Sequence, residues 1–196
     1  AVLIAAGFLV LGPRVFKLIW DVRAPGLIAF ATASSEAAYP RLLEQLERHG
    51  IANRVVSFVL PLGYSFNLDG SMMYCTFAVM FIAQAMGIHL DIGQQLGMLL
   101  LLMVTSKGIA GVPRASLVVI SATLPAMGMK PEWIALVLAV DAFMDMGRTA
   151  TNVIGNSIAS AVIAKWEGLL SDPTKDTPAV ESVLGSEESE GRAANT

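Results

Sequence analysis

The sequence is poor in cysteine, histidine and charged residues, and each shortage excludes a class of function. A single cysteine, Cys75, rules out an intrachain disulfide and leaves that thiol without companions for a metal site. Only 15% of the residues are charged, and the basic ones form no patch, so nucleic acid is not an expected partner. The two histidines, His49 and His89, are expected to be exposed near helix ends. The sequence has no paired histidine ligands, no glycine-rich nucleotide loop and no nucleophile motif, so neither an enzyme nor a cofactor is predicted.

Apolar residues, in contrast, make up 55% of the chain. Several windows approach the ~20 apolar residues that span a bilayer as a helix. These windows predict an all-α, multi-pass membrane protein, and the alternative is a soluble helical protein. The chain begins at Ala1 inside an apolar run, so we interpret it as the C-terminal part of a longer protein.

Residues 1–167 divide into five predicted membrane segments. Residues 24–33 give about 15 Å of helix, half the hydrocarbon core, and residues 92–104 are similarly short, so re-entrant hairpins fit both regions better than spans. Asn, Asp and Gly at 67–70 favour a break in the helix there. The prediction is a helix at 1–20 kinked at residues 12–13, a hairpin at 24–50, a broken helix at 51–86, a hairpin at 92–127, a helix at 131–165 and a disordered acidic tail at 168–196.

The last predicted helix carries five polar residues on one face, although its flanks are apolar. At about 100° per residue they lie within an arc of roughly 80°. Ionisable groups inside a bilayer are costly, so they normally face a cavity, a partner or a solute. Charges of both signs suit a zwitterionic or anionic small molecule. We call these residues the polar stripe: Asp141, Asp145, Arg148, Asn152 and Asn156.

Four motifs, at residues 31–36, 63–71, 106–113 and 141–152, resemble in their order the dicarboxylate/amino acid:cation symporter family. Within that family the chain looks most similar to the bacterial proton-coupled glutamate/aspartate symporters. The resemblance implies a glutamate-transporter-like transport domain, incomplete here, that moves as an elevator past a scaffold. It also implies a homotrimer in the bacterial inner membrane, assembled through scaffold segments that precede Ala1.

The resemblance also implies roles for residues around the polar stripe. Arg148 would hold the side-chain carboxylate of the substrate and Asp145 its α-ammonium, although a structural pair between Arg148 and an aspartate is the alternative for Arg148. Ser71 has an alternative role as a helix N-cap. The implied substrate-binding residues are Arg148, Asp145, Asn152, Thr149, Ser35, Val112 and Ser71.

A second group of residues is implied in cation or proton coupling. Asn67 and Asp69 look like cation ligands, which leaves Na⁺ as an alternative. Asn156 replaces an aspartate of the sodium-coupled members, and Lys107 would repel Na⁺, so H⁺ is the predicted coupling ion. Glu36 and Asp145 are candidate proton carriers, because burial favours a neutral carboxyl group, but Glu36 could equally be a solvated residue. Asp141 has either a structural or an ion-network role.

The predicted function is therefore symport of glutamate or aspartate with protons. The alternatives are a C4-dicarboxylate:cation symporter, a passive anion channel and an inactive membrane fragment. Arg114, which follows Pro113, receives no role from the sequence.

Overall fold

The computed structural model describes residues 2–66, 69–106 and 114–171. These residues form helices, and one isolated antiparallel bridge joins Ile51 to Leu170. The fold class is therefore all-α, as predicted. The helices are α1 (Val2–Leu11), α2 (Arg14–Asp21), α3 (Arg23–Thr32), α4 (Ser35–Arg48), α5 (Asn53–Phe66), α6 (Asp69–Ala85), α7 (Ile92–Thr105), α8 (Ala115–Ala126), a 3₁₀ turn (Pro131–Ile134) and α9 (Ala135–Trp166).

Local sequence signals explain where several helices begin and end. The segment predicted as one helix at 1–20 is divided between α1 and α2 at Gly12–Pro13, where Gly12 has a φ of 65°. Ser34 caps α4, because its hydroxyl accepts the Ala37 N–H at 3.4 Å. Asp91 and Gln94 form a reciprocal capping box at the start of α7.

Helix α9 organises the packing of the described helices. Its C-terminal half contributes Val153, Ile158 and Ala161 to an apolar cluster shared with α1 to α5. Its N-terminal half contributes Val137 to a second cluster, shared with α6, α7 and α8. Among the described helices, the polar stripe therefore lies on the one that joins the two clusters.

By length and composition, one stretch of the described helices could cross a membrane. This stretch is Asn53–Ala85, which takes in α5 and α6 and runs over residues 67–68, outside the described residues. Helices α1, α7 and α8 are apolar but have only 10 to 14 residues. Large apolar side chains cover much of the surface, including Phe58, Phe77 and Phe143, each about two-thirds exposed. A surface of this kind indicates contact with lipid or with further protein.

The prediction that His49 is exposed is wrong. His49 is 5% exposed, and its Nδ1 lies 2.6 Å from Asp21 Oδ2 at the end of α2. The carboxylate gives the imidazole a hydrogen-bond partner, which offsets the cost of burying a polar ring. His89 is exposed, as predicted.

The first residues of the predicted tail are packed against the α4–α5 connection. Leu169 O accepts the Ala52 N–H at 3.2 Å, and Ser171 donates its N–H to Gly50 O at 2.8 Å. The prediction of disorder covered residues 168–196 and does not hold for 169–171, which make these contacts. Residues 172–196 lie outside the described residues.

Candidate functional site

All five residues of the polar stripe are buried. The exposed fractions are 1% for Asp141, Asp145 and Asn156, 2% for Asn152 and 6% for Arg148. Helical periodicity had placed these residues on one face, and the fold turns that face into the protein.

Asp145 and Arg148 form an ion pair within α9. Arg148 Nη2 lies 2.5 Å from Asp145 Oδ1, and both side chains are at least 97% buried. The other carboxylate oxygen, Asp145 Oδ2, accepts the backbone N–H of Arg114 at 2.7 Å. Buried charges are stable only with close, well-oriented partners. The structural pair considered for Arg148 is thus present, and it leaves the guanidinium further donors.

Ser71 lies in the first turn of α6 and connects that turn to the stripe. Its Oγ accepts hydrogen bonds from Arg148 Nη1 at 3.1 Å and from Asn152 Nδ2 at 3.0 Å. Asn152 Oδ1 in turn accepts the Gly70 N–H at 2.8 Å. Ser71 is inside α6, which begins at Asp69, so the N-cap alternative is not the arrangement found.

A glycine allows α6 and α9 to approach this closely. A Cβ atom built on Gly70 would collide with the backbone carbonyl of Arg148. Gly63 plays the same part for α5, because a Cβ atom there would collide with Asn156 Oδ1. The sequence therefore lets two other helices bring backbone groups directly against the stripe.

Asp141 lies one turn before Asp145 and has different neighbours. Its Oδ1 accepts the Tyr74 hydroxyl at 2.6 Å, and its Oδ2 is 3.6 Å from Arg114 Nε. Thr149 is buried and donates its hydroxyl to the Asp145 carbonyl at 2.8 Å. The hydroxyl oxygen of Thr149 keeps lone pairs that can accept a further hydrogen bond.

The remaining predicted site residues are less tightly gathered. Ser35 is buried, and its carbonyl accepts the Tyr64 hydroxyl at 3.0 Å. Glu36 is exposed in the first turn of α4, and Asp69 is half-buried at the start of α6. Asn67 and Val112 lie outside the described residues, as does Lys107. Within the described ranges, no group of three or more His, Cys, Asp or Glu side chains is arranged to hold a metal ion.

Two contributors to the site, Tyr74 and Arg114, received no site role from the sequence, which for Arg114 indicated only exposure to headgroups or water. Tyr74 follows Gly70 by four residues in α6, so helical spacing alone places both on the face that meets α9. That spacing is a signal that sequence reasoning can use. The contacts of Arg114 join residues 27 and 31 positions apart, and no local pattern predicts such pairs.

A cavity of about 240 Å³ adjoins the stripe between α6 and α9. Among the described residues that line it, Arg148 is the only charged one. The rest of the wall is mainly apolar and aromatic, and it includes Met73, Tyr74, Phe77, Phe143 and Met144. The polar chemistry of this region is therefore concentrated on the stripe, Ser71 and the start of α8.

Two carboxylates, a guanidinium and two amides buried beneath an apolar surface are typical of membrane proteins that bind or move charged solutes. The model of the sodium:dicarboxylate symporter family matches residues 1–166, and the chain belongs to that family. The family resemblance inferred from the four motifs is thereby confirmed. Members of this family are membrane transporters and not enzymes, as the sequence predicted.

Curated relatives are similar over most of this chain. The proton/glutamate-aspartate symporter of Escherichia coli (strain K12) is 51% identical over 156 residues, covering 80% of this chain and 36% of the relative. The proton/sodium-glutamate symport protein of Bacillus caldotenax is 48% identical over 157 residues, covering 80% and 37%. The C4-dicarboxylate transport protein of Pseudomonas syringae pv. syringae (strain B728a) is 47% identical over 176 residues, covering 89% and 38%. This chain thus spans less than two-fifths of the length of these relatives.

Proposed function

We propose that the chain is the substrate-binding part of a symporter that takes up glutamate or aspartate with protons. The observation that carries the proposal is the fully buried pair of Asp145 and Arg148, which is surrounded by hydrogen-bonding groups of Ser71 and Asn152. The names of the relatives include proton, sodium, glutamate and aspartate, which supports the same substrate and coupling ions.

A zwitterionic substrate could replace the ion pair between Asp145 and Arg148 with two ion pairs of its own. An α-ammonium can replace Arg148 at Asp145 Oδ1, while a carboxylate takes the guanidinium of Arg148 in a two-pronged hydrogen bond. Each buried charge then keeps a partner of opposite sign, so the exchange avoids the penalty of an unpaired charge. Asn152 and Ser71 would donate hydrogen bonds to the α-carboxylate, and Thr149 would do so once its hydroxyl rotates away from the Asp145 carbonyl. Ser35 and Val112 would complete the site from the two hairpins.

The charge of the substrate supports coupling to a cation. Glutamate and aspartate carry two carboxylates and one ammonium, so each brings one net negative charge into a site of low dielectric. A co-transported proton cancels that charge, and Asp141, Asp145 and Glu36 are the candidate carriers. Asn156 is a neutral amide on the stripe and supplies no negative charge for Na⁺, which supports coupling to protons. Asn67 and Asp69 remain the proposed ligands if Na⁺ takes part.

The proposed architecture follows the family resemblance. Helices α3 and α4, which cover the predicted hairpin at 24–50, would form one re-entrant hairpin, and α7 and α8, within 92–127, would form the second. Helices α5 and α6 would be the two halves of the broken helix at 51–86. The whole of residues 1–167 would move as an elevator in a multi-pass homotrimer of the bacterial inner membrane. The short lengths of α3, α7 and α8 support the hairpins, because none reaches across the hydrocarbon core.

Uptake by the intact carrier in proteoliposomes tests the proposal, with pH and sodium gradients imposed separately. An inward proton gradient alone is expected to concentrate aspartate above its external level. Dependence on the sodium gradient alone would overturn proton coupling, and equilibration without concentration would indicate the alternative of an anion channel. Aspartate binding by the 196-residue chain expressed alone would argue against the alternative of an inactive fragment.

A variant of Asp145 separates the amino-acid carrier from the C4-dicarboxylate carrier, which the Pseudomonas relative brings into consideration. Asp145→Asn keeps the shape but loses the charge that would pair with an ammonium. We expect aspartate uptake to fall by at least a hundredfold, because a buried ammonium would lose its counter-charge. Thr151→Ala, on the same helix but at a partly buried position outside the proposed contacts, is the control. Aspartate uptake retained by Asp145→Asn would contradict the proposed role.

A further inference from the structure

Arg114 bridges the start of α8 to two acidic residues of the stripe. Its backbone N–H donates to Asp145 Oδ2 at 2.7 Å, and its Nε lies 3.6 Å from Asp141 Oδ2. Asp141 and Asp145 are four residues apart in α9, so the residue that precedes α8 spans a full helical turn of α9.

The side chain of Arg114 reaches from the surface to a buried group. It is 63% exposed, whereas the side chain of Asp141 is 1% exposed. Within the described residues, Asp141 Oδ2 has no hydrogen-bond donor. Tyr74 donates to Asp141 Oδ1, so the nearby guanidinium supplies positive charge to the other oxygen, Oδ2.

The backbone of Arg114 is held in a costly conformation. Its φ is 63°, in the left-handed region that residues with a side chain rarely adopt, and it is the N-cap of α8. Such a conformation persists only where the surroundings determine it. Two contacts with α9, one to Asp141 and one to Asp145, hold Arg114 in this conformation.

We propose that Arg114 is a positioning residue that orients Asp145 for the ammonium group of the substrate. The pairing of its guanidinium with Asp141 anchors the start of α8, and this anchor keeps the Arg114 N–H on Asp145 Oδ2. Asp145 Oδ1, the oxygen that faces Arg148, is then presented in a fixed direction for exchange. A carboxylate has about four lone-pair positions, so the N–H and an ammonium can bind it together. This inference rests on the proposed function and adds a residue to its amine-binding site.

Three substitutions of Arg114 in the intact carrier separate its side chain from its backbone. Arg114→Gly keeps the N–H and relieves the left-handed strain, Arg114→Gln keeps the strain without the charge, and Arg114→Lys keeps the charge. We expect the glycine and glutamine variants to raise the KM for aspartate about tenfold, the effect of losing one charge-assisted contact. We expect kcat to change less than twofold, and the lysine variant to keep KM within about threefold of the parent.

The same substitutions in an Asp141→Asn background test whether Arg114 acts through Asp141. In that background Arg114→Gly is expected to have no further effect on KM, because the anchoring pair is already lost. A tenfold effect that persists there would overturn the inference, since it would show that the guanidinium attracts the anionic substrate without Asp141. If Asp141→Asn abolishes transport, the same cycle is measured as aspartate binding, from the thermal shift of the purified carrier at increasing aspartate concentration.

The outcomes for the inference and for the proposed function are distinct. A parent carrier that concentrates aspartate, with an unchanged KM in Arg114→Gly, overturns the role of Arg114 alone. A parent carrier that neither concentrates nor binds aspartate and glutamate overturns both.

Discussion

At the scale of single residues, periodicity located the stripe but not its partners. The spacing of Asp141, Asp145 and Arg148 was sufficient to place them on one face, because helix geometry is local. Their contacts with Ser71 and Tyr74 join positions 67 to 77 residues apart, and such pairs depend on how the helices pack. The burial of His49 was missed for the same reason, since its partner Asp21 is 28 residues away.

Two tyrosines allow the stability contribution of a hydrogen bond to a carboxylate to be compared with that of a hydrogen bond to a neutral carbonyl. Tyr74 donates to a buried carboxylate at 2.6 Å, and Tyr64 donates to the Ser35 carbonyl at 3.0 Å. We expect Tyr74→Phe to destabilise the carrier by about 1.5–3 kcal/mol and Tyr64→Phe by about 0.5–1.5 kcal/mol, because bonds to charged groups are stronger. Thermal unfolding of the purified carrier measures both. An equal or smaller loss for Tyr74→Phe would show that its bond to Asp141 is not charge-assisted.

At the scale of elements, the sequence was most informative where the signal was short-range. The division of the first helix at Gly12–Pro13 and the end of α3 near Ser34 follow from backbone preferences and capping. The lengths of α3, α7 and α8 agree with short apolar windows, but whether they enter and leave the membrane on one side remains a prediction. The break at 67–70 also remains a prediction, because Asn67 is outside the described residues.

The capping box of α7 gives a prediction confined to one element. Asp91 accepts the Gln94 N–H at 2.8 Å, and the Gln94 side chain accepts the Asp91 N–H at 2.9 Å. We expect Asp91→Ala to lower the free energy of unfolding by about 1 kcal/mol, whereas Asp91→Asn retains most of the cap, because both side chains accept from the backbone. Thermal unfolding of the two variants checks this. Equal losses in both would mean that the charge of Asp91, through the helix dipole, matters more than the cap.

At the scale of the whole molecule, α9 joins the two apolar clusters, and the residues just after α9 bond back to the α4–α5 connection within the first cluster. The polar stripe was predictable, but the bridge between residues 50–52 and 169–171 was not, because it pairs segments more than 110 positions apart. The acidic composition after Gly168 indicated only a polar tail. Loop-closing contacts of this range carry no local signature.

Truncation tests how much this bridge contributes. A carrier that ends at Ser171 keeps the bonds to Gly50 and Ala52, and one that ends at Gly168 loses both. We expect the shorter variant to unfold at a lower temperature, because it loses two backbone hydrogen bonds, worth about 1–3 kcal/mol together, and the packing of Leu169 and Leu170 against the first cluster. The variant that ends at Ser171 is expected to match the parent. If both variants unfold alike, the bridge is dispensable.

The length of α9 has a mechanical consequence. Its 32 residues make a continuous rod of about 48 Å, and apolar neighbours grip it near both ends. Close-packed protein interiors transmit strain from one contact to the next. A displacement of α1 or α2 would therefore move α9 as a unit, and Asp145 and Arg148 would move with it.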